Sequence, residues 1–140
     1  MRGPRALWIS VAFTAIVVAS GGHAIAQQTA PLKGEFRPVA HAVTGIATID
    51  AGAGDARALR LEDFRVDDGP DLYVYLVAVD DAPNSGSVAR AEFVSLGKLR
   101  KSSGDQDYEV PAATDLEKYR TVVIWCQRFS VNFAAAPLSR

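Results

Sequence analysis

The chain has 140 residues, a formal net charge of −1 and a hydrophobic fraction of 49%. With no basic run and no strong charge excess, it lacks an electrostatic footprint for nucleic acid or an anionic membrane surface. A single cysteine excludes an intrachain disulfide framework and a thiolate-rich metal site.

In chain order, Arg2 and Arg5 form a basic start, and an apolar stretch follows from Leu7 to Ala19. Ala24-Ile25-Ala26 then supplies an A-x-A cleavage signal before Gln27. This order of regions predicts a secretory signal peptide over residues 1–26. The apolar run is about 13 residues, short of the ~20 a spanning helix needs, so no membrane span is expected in the mature form. Export predicts a periplasmic or secreted location. Residues 27–34, QQTAPLKG, are polar around Pro31 and Gly34 and read as a flexible leader. The folded domain is expected over residues 35–140.

From Phe36 the pattern is that of short strands. HAVTGIATID alternates Val43, Gly45, Ala47 and Ile49 with polar or small neighbours. RALRLEDFRV carries Leu59 and Leu61, then Phe64 and Val66, a change of phase that predicts a bulge. DLYVYLVAV is apolar on both faces and predicts a central strand. DDAPNSGSVA reads as a loop of turn formers. AEFVSLG and YEVP are further strands, and Thr114 with Glu117 reads as the cap of one helical turn. TVVIWCQRFSVNFA predicts two strands around a corner, with Val122, Ile124 and Cys126 on one face and Val123 and Trp125 on the other. Phe129, Val131 and Phe133 are expected to share a face of the second strand. About seven or eight short strands with regular turn signals predict an all-β, single-domain antiparallel sandwich, Ig-like or jelly-roll-like.

Little catalytic chemistry is on offer. After removal of residues 1–26 the chain holds one histidine, His41, one cysteine, Cys126, and no methionine. Blue copper, zinc, and Met/His or covalent c-type haem all lack ligands. No P-loop, G-x-G-x-x-G or G-x-S-x-G occurs. Asp67, Asp68 and Asp71, with Asp80 and Asp81, admit calcium, but Asp-Gly-Pro is turn chemistry first, and no metal site is assigned. Cys126 has three readings: a buried small hydrophobe, a low-pKa redox thiol, or a thiolate ligand to haem with or without His41, which is the residue expected to share a functional site with it. Trp125 reads as a packing aromatic, as a ring against haem or as an electron relay. This inventory suits a redox or binding module better than a stand-alone enzyme.

Several pieces occur together in order: Phe36, the H-x-x-x-G of HAVTGIATI, LRLEDF, GPDLYVYL, SLGKL, GDQDYEVP and DLEKYRTVVIWCQRFSVNFAAAPL. In this string, which ends in W-C-x-x-F-x-V-x-F, the chain resembles the DM13 domain over nearly all of residues 36–138. The resemblance implies an extracytoplasmic, sandwich-like domain, found in some proteins beside DOMON and cytochrome b561-type modules. It implies an electron-transfer role and a redox protein partner. The family's characteristic cysteine falls on Cys126, as a naked thiol or a haem ligand. The first alternative is a non-catalytic binding or adhesion domain with a structural cysteine, and the second is a thiol-dependent carrier that forms a mixed disulfide with a partner.

Overall fold

The computed structural model describes residue 3, residues 30–50 and residues 56–140. The signal peptide expected over residues 1–26 (Gly3 apart) and the first residues of the leader lie outside the described residues. The described residues form the strands β1 (Leu32–Glu35), β2 (Arg37–Pro38), β3 (Val43–Asp50), β4 (Arg57–Val66) and β5 (Leu72–Val77). A short helix, α1 (Ser85–Ala89), precedes β6 (Phe93–Lys98), β7 (Gln106–Val110), β8 (Thr121–Cys126) and β9 (Val131–Pro137).

The two runs richest in β-formers pair with each other. β5 and β8 lie antiparallel, from Leu72 opposite Cys126 to Val77 opposite Thr121. Branched and aromatic side chains fit a pleated surface, and strands apolar on both faces belong inside a sheet. These two accordingly sit within a five-stranded sheet of order β2-β9-β8-β5-β6. The remaining strands form a four-stranded sheet of order β1-β3-β4-β7. The two antiparallel sheets make the expected β-sandwich. One corner is closed by reciprocal backbone bonds between Lys33 and Ser139.

The main core lies between the sheets. Ala47, Ile49, Leu59, Leu61, Phe64 and Val66 face Leu72, Val74, Leu76, Val122, Ile124, Cys126 and Phe133. Each large apolar side chain buried here contributes about 1.5–3 kcal/mol against leaving it exposed. The change of phase in β4 is real. The β3–β4 register shifts between Thr44 and Ile46, where Gly45 has φ +123° and Asp63 φ +49°. The extra residue returns Phe64 and Val66 to the inner face.

Three local expectations are corrected. Leu32–Gly34, assigned to the leader, begin β1, because Leu32 is buried and the segment pairs with β3. The loop of turn formers contains α1, whose cap is Asn84 accepting from the Ser87 N–H at 2.9 Å. The cap near residue 115 is Asp115, which accepts from the Glu117 N–H, while Thr114 is buried and its carbonyl accepts from Arg57. The connection carrying α1 matters most for the site. It lays Ala82 and Val88 over the outer face of the five-stranded sheet and forms a second apolar cluster with Tyr75, Val77, Val123, Trp125 and Ala135.

Candidate functional site

Cys126 is the last residue of β8, and pleat alternation turns its side chain inward with Val122 and Ile124. It is a free cysteine with 0% exposure, between Leu72 on β5 and Val131 on β9. The corner after it is a wider turn over Gln127–Ser130, with Ser130 at φ +52°. Lacking the glycine or asparagine of a two-residue hairpin, the chain uses four residues here. This wide turn does not uncover the sulfur. Gln127 donates its N–H to the Asp71 carbonyl at 2.9 Å and ties the turn to the 67–71 loop. Gly69 in that loop is pressed close, so that a Cβ built there would fall 2.8 Å from the Phe133 ring and 2.9 Å from Leu72. Phe133 and Leu72 belong to the same buried cluster as Cys126. Phe129, expected beside Val131 and Phe133, instead projects from the turn at 63% exposure.

His41 lies at the same end of the sandwich. Its backbone N–H donates to the Phe133 carbonyl, and its imidazole stacks on the Phe133 ring with centroids 3.8 Å apart. Nδ1 lies 3.4 Å from an Asp67 carboxylate oxygen, and the side chain is 39% exposed. The histidine thus packs on a ring of the core that contains Cys126, but at its solvent side.

Trp125 points away from both. As the neighbour of Cys126 in a strand it must face the opposite side of the sheet, and it belongs to the outer cluster at 7% exposure. Cys126, His41 and Trp125 therefore do not line one cavity. A haem needs open space against its axial ligand, whereas Cys126 is closed in by aliphatic and aromatic side chains. As arranged, these residues do not fit a haem.

The outer cluster holds what the sequence reading missed. Tyr75 stacks on Phe93 with centroids 4.3 Å apart and planes 15° apart, and lies 6.3 Å from Trp125 at 24°. Burial pushes the Tyr75 phenol upward from its ordinary pKa, partly countered by a hydrogen bond donated by Gln127. Alternation predicts the shared face of Tyr73 and Tyr75. Only the strand register brings Phe93 onto it. Asn132, opposite Trp125, is also buried, and its amide donates to the Ala82 carbonyl.

A polar cleft of about 360 Å³ opens at the Cys126 end, between residues 68–72 and 98–102. Lys98, Arg100 and Lys101 face Asp68 and Asp71 across it, and Leu72, the cross-strand neighbour of Cys126, lines it. The acidic residues of the sequence do not converge. Asp67 pairs with His41, Asp71 with Lys98, Asp80 with Arg120 and Asp81 with Arg37. Among the described residues, no group of three or more His, Cys, Asp or Glu side chains is placed to hold a metal ion. No helix among them is long and apolar enough to cross a membrane.

A search of the curated proteins and a search of the solved structures each returned no match to the chain. A scan against protein families matched DM13, described as "Electron transfer DM13", over residues 35–138. This span takes in β2 to β9, with the Cys126 strand and the outer ring cluster, and the last residue of β1. The chain belongs to the DM13 family, whose domain is named for electron transfer.

Proposed function

We propose that this domain is an exported electron carrier whose redox group is the naked thiol of Cys126, reached when the end of the sandwich opens. The family description supports the redox part of this reading. The observation that carries the choice of residue is that Cys126 is the chain's only thiol, at a strand end beneath the 67–71 loop. A thiol must be deprotonated and reached before it exchanges with a partner. The closed arrangement is then a resting state, and local opening near Gly69 and Leu72 precedes reaction. With a redox protein bearing a disulfide, the Cys126 thiolate bonds to one partner sulfur. The partner's S–S bond breaks, and its other sulfur leaves as a thiolate. Export rests on Arg2, Arg5, the apolar stretch and the A-x-A signal. N-terminal sequencing of the protein recovered outside the cytoplasm should begin at Gln27.

The test is iodoacetamide modification of the folded chain against urea. A modification rate insensitive to low urea supports the reading, because it reports local opening rather than global unfolding. Modification that rises only with global unfolding would sink it. A second reading then stands: a non-catalytic binding or adhesion domain in which Cys126 is a core residue. The apolar surroundings and 0% exposure of Cys126 favour that reading.

A further inference from the structure

The outer face of the five-stranded sheet carries a run of rings that crosses three neighbouring strands. Phe93 on β6 stacks on Tyr75 of β5, which in turn lies near Trp125 of β8. The run begins at the sheet edge, where Phe93 is 49% exposed, and ends at buried Trp125. Cross-strand packing stabilises all three rings. Phe93 differs in leaving about half of its surface open at the sheet edge while its ring stays in near-parallel contact with Tyr75.

A second feature lies at the inner end. Among the described residues, the Asn132 side-chain oxygen is the one buried side-chain polar atom with no hydrogen-bond partner. The amide of Asn132 is fixed by its bond to Ala82, and Asn132 sits directly opposite Trp125. Residues opposed in this way hold their Cβ atoms about 4.5–5.5 Å apart. An unpaired carbonyl oxygen in a low-dielectric interior favours positive charge beside it. Loss of one electron from an indole creates such a charge.

We propose that Trp125, Tyr75 and Phe93 form an electron path, with Trp125 as donor and Phe93 as the contact for a strong one-electron oxidant such as a high-valent haem iron. The Trp125 indole gives one electron through Tyr75 and Phe93, and the oxidant is reduced by one unit. The indole radical cation then releases its N–H proton to water, leaving a neutral radical. This path goes beyond the Cys126 reading and requires no thiol chemistry, so either can fail while the other stands.

The experiment uses the full chain with Trp8→Phe, which leaves Trp125 as its only indole. Photogenerated ruthenium(III) tris-bipyridine serves as the oxidant, and the indolyl radical is followed by transient absorption. The radical is expected in this protein and absent after Trp125→Phe. Phe93→Leu, a change at an exposed site, should slow its formation several-fold. Phe129→Leu removes an even more exposed ring outside the run and should leave the rate unchanged. If Trp125→Phe does not fold, the comparison of the Phe93 and Phe129 variants still decides. An unchanged rate in Phe93→Leu, equal slowing in Phe129→Leu, or no indolyl radical in the parent overturns the path.

Discussion

Cys126 is fully buried within the apolar core cluster, which offers a polar replacement no hydrogen-bond partner of its own. Cys126→Ser should lower stability by about 1–3 kcal/mol, the cost of a buried unsatisfied hydroxyl. Cys126→Ala leaves a small void and should cost less, on the order of 1 kcal/mol. Urea midpoints at constant slope would measure both, and a serine variant as stable as the parent would contradict the buried placement. The sequence made Cys126 a candidate through its uniqueness and its strand-end position. It did not reveal whether the sulfur meets solvent, because that depends on Gly69 and Leu72, more than fifty residues away in the chain. Trp125 was legible as a strand aromatic on the opposite face. Its ring neighbours were not, since Phe93 reaches the same face only through the pairing of β5 with β6.

Among the elements, two irregular places set the shape of the site. The β3–β4 bulge needs Gly45: its φ is +123°, and a Cβ there would lie 2.8 Å from the Phe64 Cα. Gly45→Ala should therefore cost roughly 2–5 kcal/mol, from strain and from contact with backbone that cannot swing aside. Thermal unfolding would show it, and a loss within experimental error would mean the bulge can be rebuilt. The 67–71 loop differs, because Gly69 is pressed against side-chain ends rather than backbone. Gly69→Ala should cost less stability but displace Phe133 and Leu72, raising the alkylation rate of Cys126 several-fold. An unchanged rate would show that this loop is not the seal. The bulge was legible because β4 changes phase between Leu61 and Phe64. Helix α1 was hidden because its five residues, SGSVA, have turn-forming composition and too little length for a helical period to emerge.

For the whole molecule, pH acts through groups with different environments. Burial raises the pKa of Tyr75 and Tyr108 above the usual phenol value, and for Tyr108 a hydrogen bond and the charge of Arg100 partly counter it. Their folded pKa values exceed the unfolded ones, so their contribution is complete below about pH 10 and is lost as pH rises through the folded values. Spectrophotometric titration should find two tyrosines ionising late, together with alkaline unfolding. Four tyrosines titrating alike at the ordinary value would contradict the packing. At the surface, Glu92 is lowered and Lys118 raised by the hydrogen bond and charge they share. Their small mutual contribution fades below the acidic range for Glu92 and above the alkaline range for Lys118. Most strand positions, their apolar faces and the sandwich class were readable from the chain by itself, because side-chain alternation and turn chemistry are local; β1, read as leader, was the exception. Tertiary structure alone decided that Cys126 is sealed, that His41 stacks on Phe133 at the surface, and that Trp125 joins Tyr75 and Phe93. Those outcomes depend on register between strands far apart in sequence, and a register becomes definite only when both sheets pack and each strand's buried face finds its partner.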